Sequence, residues 1–70
     1  MEIDAHTGFC GLIGNPVEHS LSPAIHNAAF QTLGLNLVYL AFRVEAIGEA
    51  IAGLRALGGF RGASVTIPHK

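Results

Sequence analysis

The chain has 70 residues, a formal net charge of −1 and only 13% charged residues, which leaves room for one small domain at most. Its four basic residues lie scattered through the second half, and this excludes the basic stripe that a nucleic-acid surface needs. One cysteine, Cys10, excludes an internal disulfide, and its apolar surroundings predict a small buried residue.

The residue pattern also argues against metal and membrane sites. The four histidines are scattered along the sequence, and Cys10 has no second cysteine to accompany it, so the spacing typical of zinc ligands is missing. No apolar run approaches the roughly 18 residues of a membrane span. Residues 1–7 are polar, which predicts a flexible N-terminus, and they lack the basic residues of a signal peptide. We therefore expect a cytoplasmic protein with no nucleic-acid or membrane partner.

The apolar content is high for so short a chain, because hydrophobic residues make up 50% of it. A short independent domain keeps a large share of its residues at the surface and needs polar side chains there. The sequence also stops at Lys70, directly after the letters IPH, without a helix or a polar tail. We therefore expect a truncated domain, with an apolar face that further chain covers.

The first half predicts a strand at Gly8–Ile13 and a helix at Ser22–Leu33. Ser22 suits the N-cap of that helix, Pro23 its first helical position and Gly34 its C-terminal cap. Helical spacing predicts one apolar face that packs on the sheet, formed by Ile25, Ala28, Ala29 and Leu33.

The second half predicts a strand at Leu37–Val44, a helix at Glu45–Leu57 and a strand at Ala63–Ile67. The first of these strands is almost continuously apolar, as expected of a strand that is covered on both faces. Its aromatic residues Tyr39 and Phe42 are therefore expected to pack in the core.

The resulting order, β-α-β-α-β, predicts an α/β fold with an open, mostly parallel sheet. Both helices are long enough to cross between parallel strands, and right-handed crossovers place them on both faces of the sheet. Ligands of such sheets bind outside the carboxyl ends of the strands. Residues 14–22 and 67–70 follow two of those ends, so we expect them to lie at one edge of the sheet.

Small hydroxyl side chains collect at that edge. Ser20 and Ser22 stand at the start of a helix, where unpaired N–H groups and the helix dipole favour an anion. Ser64 and Thr66 are two residues apart, so on a strand they face the same side, and Lys70 follows closely. Together they suit a small, polyhydroxylated, anionic ligand.

Each of these residues also has a purely structural explanation. Ser22 can serve only as a helix cap and Ser20 only as a loop residue. Strand propensity accounts for Thr66, and Ser64 can bond locally. Lys70 can be a solvated lysine, because a lysine becomes an acid or base only when its surroundings lower its pKa.

Two segments in this chain carry a family resemblance. The letters GNPVEHSLSPAIHN at residues 14–27, followed later by GASVTIPHK at residues 62–70, resemble the N-terminal, substrate-binding domain of the shikimate dehydrogenase family. The wider family includes quinate/shikimate dehydrogenases and the fused plant dehydroquinate dehydratase/shikimate dehydrogenase. The resemblance implies an oxidoreductase that reduces 3-dehydroshikimate to shikimate with NADPH, on the route through chorismate to the aromatic amino acids.

The resemblance also implies residue roles. Ser20 and Ser22 match the serine pair that holds the substrate carboxylate, and Thr66 matches a contact to a substrate hydroxyl. Lys70 matches the lysine taken as the acid/base group at the reacting hydroxyl. Ser64 stands where many bacterial members have asparagine and plant enzymes have serine, which leaves the choice between shikimate and quinate open.

Other family parts have no counterpart in these residues. The aspartate partner of the lysine and the NADP-binding domain are missing, so residues 8–70 are expected to form a partial substrate-binding domain that is inactive alone. NADP, rather than NAD, is the cofactor that the resemblance implies, and the full enzyme leaves room for a homodimer. Two alternatives remain: a non-catalytic module, such as a truncated paralogue, that binds a shikimate-like acid, and a structural α/β fragment that associates through its apolar faces.

Overall fold

The computed structural model describes residues 2–66, and the predicted acid/base residue Lys70 lies outside these described residues. Five elements alternate along the chain: β1 (Gly8–Gly14), α1 (Ser22–Leu33), β2 (Leu37–Arg43), α2 (Ile47–Arg55) and β3 (Phe60–Val65). The predicted order and type of all five elements are confirmed. The bounds of α1 also agree with the predicted ones, Ser22–Leu33.

The predicted bounds of α2 and β3 are wrong by several residues. Ala46 has an extended backbone, with φ −110° and ψ 90°, so α2 begins after it instead of at Glu45. At the other end, the N–H groups of Ala56 and Leu57 donate to carbonyls three residues earlier, which closes the last turn. Strand β3 begins at Phe60 because pairing with β1 supplies hydrogen bonds that apolar spacing does not reveal.

The three strands form one parallel sheet in the order β2-β1-β3, so β1 is central and hydrogen bonds to both neighbours. Leu12 and Tyr39 lie on the face that packs against α1, while Phe42 lies on the opposite face and lines a cleft with α2. The connection from β1 through α1 leads to β2, and the connection from β2 through α2 leads back across the sheet to β3. Two crossovers of the same handedness that run in opposite directions place their helices on opposite faces of the sheet. The predicted open α/β sheet is therefore confirmed.

A small core holds the sheet together. Leu12, Val17 and Tyr39 form a buried cluster, with Cys10 and Phe30 packed against it. The core assignment of Tyr39 is confirmed, since only 4% of its surface is exposed. Cys10 is half-buried instead of fully buried, because it lies at the edge of this cluster.

A second apolar contact forms on the other face of the sheet. Ile13 is fully buried there, and Phe42 meets Phe9 edge to face with ring centroids 6.2 Å apart. Gly11 leaves the space that the Phe42 ring occupies. Phe42 is half-buried and packs as predicted.

The predicted apolar face of α1 is wrong. Ile25 and Leu33 are 64% and 70% exposed, and Ala28 and Ala29 are exposed as well. Asn27 and Phe30 face the sheet instead, and Asn27 forms two hydrogen bonds with the backbone of β2. The reason is that β2 is an edge strand, whose backbone groups need polar partners that a purely apolar helix face would not supply.

The C-terminal end of α1 agrees with the prediction. Gly34 has a left-handed backbone with φ 68° and ψ 28°, which glycine adopts without steric cost. Its N–H donates to the Gln31 carbonyl, and the Leu35 N–H donates to the Phe30 carbonyl. These two bonds form a Schellman motif that satisfies the last carbonyls of the helix.

Hydrogen bonds form within the N-terminal segment and join it to the residue that precedes β2. The Thr7 N–H donates to the Asp4 carbonyl, and the Thr7 hydroxyl donates to Asn36 Oδ1 at 2.8 Å. The flexibility predicted for residues 1–7 stays a prediction, because these bonds do not report motion. Within residues 2–66, neither helix has the length and apolar content needed to cross a bilayer.

Replacing Gly11 with alanine tests the packing between β1 and β2. A Cβ atom at Gly11 would lie 2.5 Å and 2.7 Å from two atoms of the Phe42 ring. We expect Gly11→Ala to lower the free energy of unfolding by about 1–3 kcal/mol, because the overpacked ring and backbone must shift. Urea denaturation followed by circular dichroism measures the change.

Gly53→Ala is the matched control. It adds the same methyl group to α2, where the new Cβ meets no described atom within 4 Å apart from its chain neighbours and the adjoining backbone of the helix. We expect it to raise the free energy of unfolding by about 1 kcal/mol through helix propensity. Equal effects of the two substitutions would contradict the packing role of Gly11.

Candidate functional site

A cleft of about 310 Å³ lies at the carboxyl end of β1. It combines hydroxyl groups with an apolar floor, and we name it the serine cleft; its lining residues are Leu12, Pro16, Val17, His19, Ser20, Ser22 and Thr66. Three of the predicted ligand residues, Ser20, Ser22 and Thr66, therefore meet in one place although they come from opposite ends of the chain. The parallel sheet brings them together, because β1 and β3 end side by side.

The loop between β1 and α1 is anchored to the core by Val17. This side chain is only 7% exposed and packs with Leu12 and Tyr39. The Val17 carbonyl then accepts a hydrogen bond of 3.1 Å from the Ser20 N–H, which forms a turn, and the Asn15–Pro16 peptide bond is cis. Burial of one apolar residue therefore fixes the backbone that presents the first serine.

Ser20 caps the first N–H of α1 from the position before the N-cap residue Leu21, which corrects the prediction that Ser22 is the cap. The Ser20 Oγ atom accepts a hydrogen bond of 3.1 Å from the Ser22 N–H. The residue that flanks the helix start is Leu21, which has a helical backbone and makes no side-chain capping bond in the described structure. Ser22 is the first residue of α1, so it does not occupy the N-cap position, from which a side chain accepts from the N–H groups of the second or third helical residue.

Capping by Ser20 leaves hydroxyl groups available to a ligand. A serine hydroxyl has one donor and two acceptor sites, and the cap uses only an acceptor site of Ser20. Among residues 2–66, the Ser22 hydroxyl makes no hydrogen bond, and its side chain lines the serine cleft. Two O–H donors therefore stand next to the positive end of the α1 dipole.

Thr66 completes the serine cleft from the other side. Its N–H donates to the Ile13 carbonyl at 2.8 Å, so the residue continues the pairing of β3 with β1. Thr66 is half-buried, and its side chain lines the cleft with Leu12. This arrangement can offer a hydroxyl to the part of a ligand that lies away from the serines.

Ser64 lies in a neighbouring cleft of about 220 Å³, which includes Cys10, His26, Phe30 and Tyr39. Ser64 and Thr66 share the α1 face of the sheet, as predicted, but the structure does not bring Ser64 into the serine cleft. His26 stacks on the Tyr39 ring there, with centroids 4.2 Å apart and planes 12° from parallel.

A register shift decides which face Ser64 occupies. Phe9 pairs with Phe60, but Cys10 pairs with Gly62, so β3 carries one extra residue between these pairs. Ser64 then lies beside Leu12, on the α1 face. Without the shift it would lie beside Ile13, on the opposite face, because side chains alternate along a strand.

The glycines of β1 do not form a dinucleotide-binding loop. Gly8 and Gly11 give space to packed side chains, since added Cβ atoms would lie 2.8 Å from Leu37 Cδ2 and 2.5 Å from the Phe42 ring. They therefore do not form a phosphate-binding loop between a strand and a helix. In the same part of the chain, no three His, Cys, Asp or Glu side chains are grouped to hold a metal ion.

Sequence reasoning missed Val17, His19 and Asn27. A lone apolar residue in a polar loop is a weak signal, because Leu21 in the same loop is 72% exposed while Val17 is buried. His19 lines the serine cleft, yet a single loop histidine gives no pattern. Asn27 bonds to a strand twelve residues away, and local spacing cannot reveal that partner.

Comparison with known proteins shows the family of this chain. Residues 12–70 match a family described as the shikimate dehydrogenase substrate-binding domain. The shikimate dehydrogenase (NADP⁺) of Moorella thermoacetica is 58% identical over all of this chain, and that of Methanopyrus kandleri is 60% identical over the same extent. In both cases the match covers 24% of the relative.

Solved structures give the same result. The shikimate 5-dehydrogenase of Listeria monocytogenes, in complex with shikimate and NAD, is 46% identical with a TM-score of 0.92, and the match covers 100% of this chain and 25% of that one. The shikimate dehydrogenase of Aquifex aeolicus is 45% identical with a TM-score of 0.93, covering 99% of this chain and 26% of that one.

The match extends over nearly the whole chain and over about a quarter of its relatives. It includes β1, the loop of residues 15–21 between β1 and α1, which we name the serine loop, and β3, and these segments build the serine cleft. The chain therefore belongs to the shikimate dehydrogenase substrate-binding domain family.

Proposed function

We propose that residues 8–70 are part of the substrate-binding domain of a shikimate dehydrogenase, which reduces 3-dehydroshikimate to shikimate with NADPH in aromatic amino acid biosynthesis. The observation that supports this most is the serine cleft, which gathers Ser20, Ser22 and Thr66 at the carboxyl end of β1. A carboxylate and ring hydroxyls are the groups that such a set of neutral donors suits.

The substrate carboxylate binds at the start of α1 in this proposal. The O–H groups of Ser20 and Ser22 donate to its oxygens, and the helix dipole adds a favourable field. The apolar floor formed by Leu12 and Val17 lies under the ring, where the substrate exposes C–H groups. Thr66 bonds a ring hydroxyl, and Ser64 adds a further contact from the neighbouring cleft.

Lys70 supplies the acid/base group in this proposal. As 3-dehydroshikimate is reduced, the ketone oxygen gains a proton, and the Lys70 ammonium group is its donor. Because Gly8 and Gly11 form no phosphate-binding loop, we assign NADP to chain outside this sequence. The homodimer and the cytoplasmic location stay predictions, since neither depends on the cleft.

A shikimate titration of the 70-residue chain, followed by amide NMR, tests the proposal. We expect saturable shifts at the amides of Ser20, Ser22, Ser64 and Thr66. Cyclohexanecarboxylate is the matched ligand, because it keeps the carboxylate and the ring but has no hydroxyls. It should shift the serine amides at the start of α1 and leave Thr66 nearly unchanged.

Dispersed spectra without any response to shikimate would contradict binding by this chain. Saturable binding by the chain, together with a longer protein that lacks dehydrogenase activity, would instead support the non-catalytic module. Collapsed spectra would show that the site requires further chain. The same titration must then be run on the longer protein, where a missing response would reject the proposed function.

Substitution of each serine in turn should distinguish a capping role from a ligand-binding role. We expect Ser20→Ala to lower the free energy of unfolding by about 1 kcal/mol, because the Ser22 N–H loses its partner, and also to weaken shikimate binding. Ser22→Ala should weaken binding with little loss of stability, since its hydroxyl caps no described group. Thermal denaturation and the titration measure both effects, and equal stability losses would reject the assignment of Ser20 as the cap.

Lys70 is tested in the complete enzyme. Lys70→Ala should lower kcat at least about a hundredfold, in the range typical of a lost general acid, and change KM much less. Steady-state kinetics with shikimate and NADP⁺ measures both constants. A large rise in KM with normal kcat would remove Lys70 from the chemistry and leave it as a binding residue.

A further inference from the structure

Asn27 joins α1 to the outer edge of the sheet. Its Nδ2 atom donates to the Tyr39 carbonyl at 2.8 Å, and its Oδ1 atom accepts from the Tyr39 N–H at 2.7 Å. A neighbouring strand would offer the same residue one donor and one acceptor. The Asn27 amide therefore takes the place of a further strand at this one position of β2.

The backbone of Tyr39 needs this partner. The Gly8 N–H donates to Asn36 and the Val44 N–H donates to Gly14, so even-numbered residues of this segment face β1. The N–H and carbonyl of Tyr39 consequently point away from β1, at the open edge. The residue is only 4% exposed, so leaving these two groups unpaired would be costly.

The other attachments of α1 are less directional. Among the described residues none of α1 is buried, and the helix packs mainly against β2. His26 stacks on Tyr39, and Phe30 packs against the core. Stacked rings and apolar contacts tolerate sliding, whereas two hydrogen bonds from one planar amide fix both the height and the rotation of the helix.

The same helix carries part of the serine cleft. Ser22 lies five residues before Asn27, which is about 7.5 Å along the axis of α1. A helix of this length moves as one body, so a shift at Asn27 displaces the Ser22 N–H and the hydrogen bond to Ser20.

We propose that Asn27 is a positioning residue for the serine cleft: its amide fixes α1 on β2 and so sets where Ser22 meets a carboxylate. The identity of the ligand rests on the proposed function. The position of the helix does not, and it is measurable without a ligand. Asn27 itself touches no substrate in this account, because it acts through the backbone of α1.

The test compares Asn27→Ala with two control variants. Gln31→Ala removes an exposed amide from the same helix, and Phe42→Leu loosens the opposite face of the sheet without touching α1. All measurements are made well below each unfolding midpoint, so that every variant is folded. We expect Asn27→Ala to raise the Kd for shikimate about tenfold, while both controls change it less than about twofold.

Conservative variants separate the two hydrogen bonds. Asn27→Asp keeps an acceptor for the Tyr39 N–H but places a carboxylate against the Tyr39 carbonyl, so we expect binding as weak as in Asn27→Ala. Asn27→Gln keeps both groups on a longer side chain and should restore part of the affinity. If Asn27→Ala does not fold, the test is the difference in shikimate affinity between Asn27→Asp and Asn27→Gln.

Amide NMR without ligand gives an independent measurement. Asn27→Ala should shift the Ser20 and Ser22 amides and speed hydrogen exchange at Tyr39 about tenfold or more, whereas Phe42→Leu should leave the serine amides in place. Unchanged serine amides, or an equal loss of affinity in Phe42→Leu, would overturn the inference. If the longer protein without these substitutions does not bind shikimate, the proposed function fails, and the serine amide shifts alone decide the role of Asn27.

Discussion

Hydrogen bonding of β1 on both of its sides is the constraint on which the rest of the structure depends. The Val44 N–H donates to Gly14, and the Thr66 N–H donates to Ile13, so the ends of β2 and β3 are fixed against the end of β1. The serine loop leaves from that same end. The end of β1 therefore sets the positions of the ends of β2 and β3 and of the loop to α1. As a result, residues from distant parts of the sequence meet in a single cleft.

The core and the serine cleft use the same residues. Leu12 and Val17 belong to the buried cluster and also line the cleft, so burial of apolar surface directly shapes the ligand site. Burial of Val17 beside Leu12 and Tyr39 attaches the loop between β1 and α1 to the core. Changes in core packing should therefore be felt in the geometry of the site.

Two sets of backbone groups find hydrogen-bond partners along α1, one at the start of the helix and one on the edge strand β2. Ser20 satisfies an N–H at the beginning of α1, and Asn27, further along the helix, satisfies the outward N–H and carbonyl of Tyr39 in β2. Both are local solutions to the general need to pair buried or half-buried backbone groups. Together they leave the hydroxyl of Ser22 available in the cleft.

The sequence by itself determined the order and type of the five elements, the C-terminal cap at Gly34 and the convergence of Ser20, Ser22 and Thr66. These follow from apolar spacing, local backbone preferences and the rule that parallel strands end at one edge. Tertiary structure decided which serine caps α1, which face of α1 meets the sheet, and which face of β3 carries Ser64. The physical reason is that each of these depends on a partner across space: Asn27 bonds to an edge strand, and a one-residue register shift against β1 turns Ser64 toward α1.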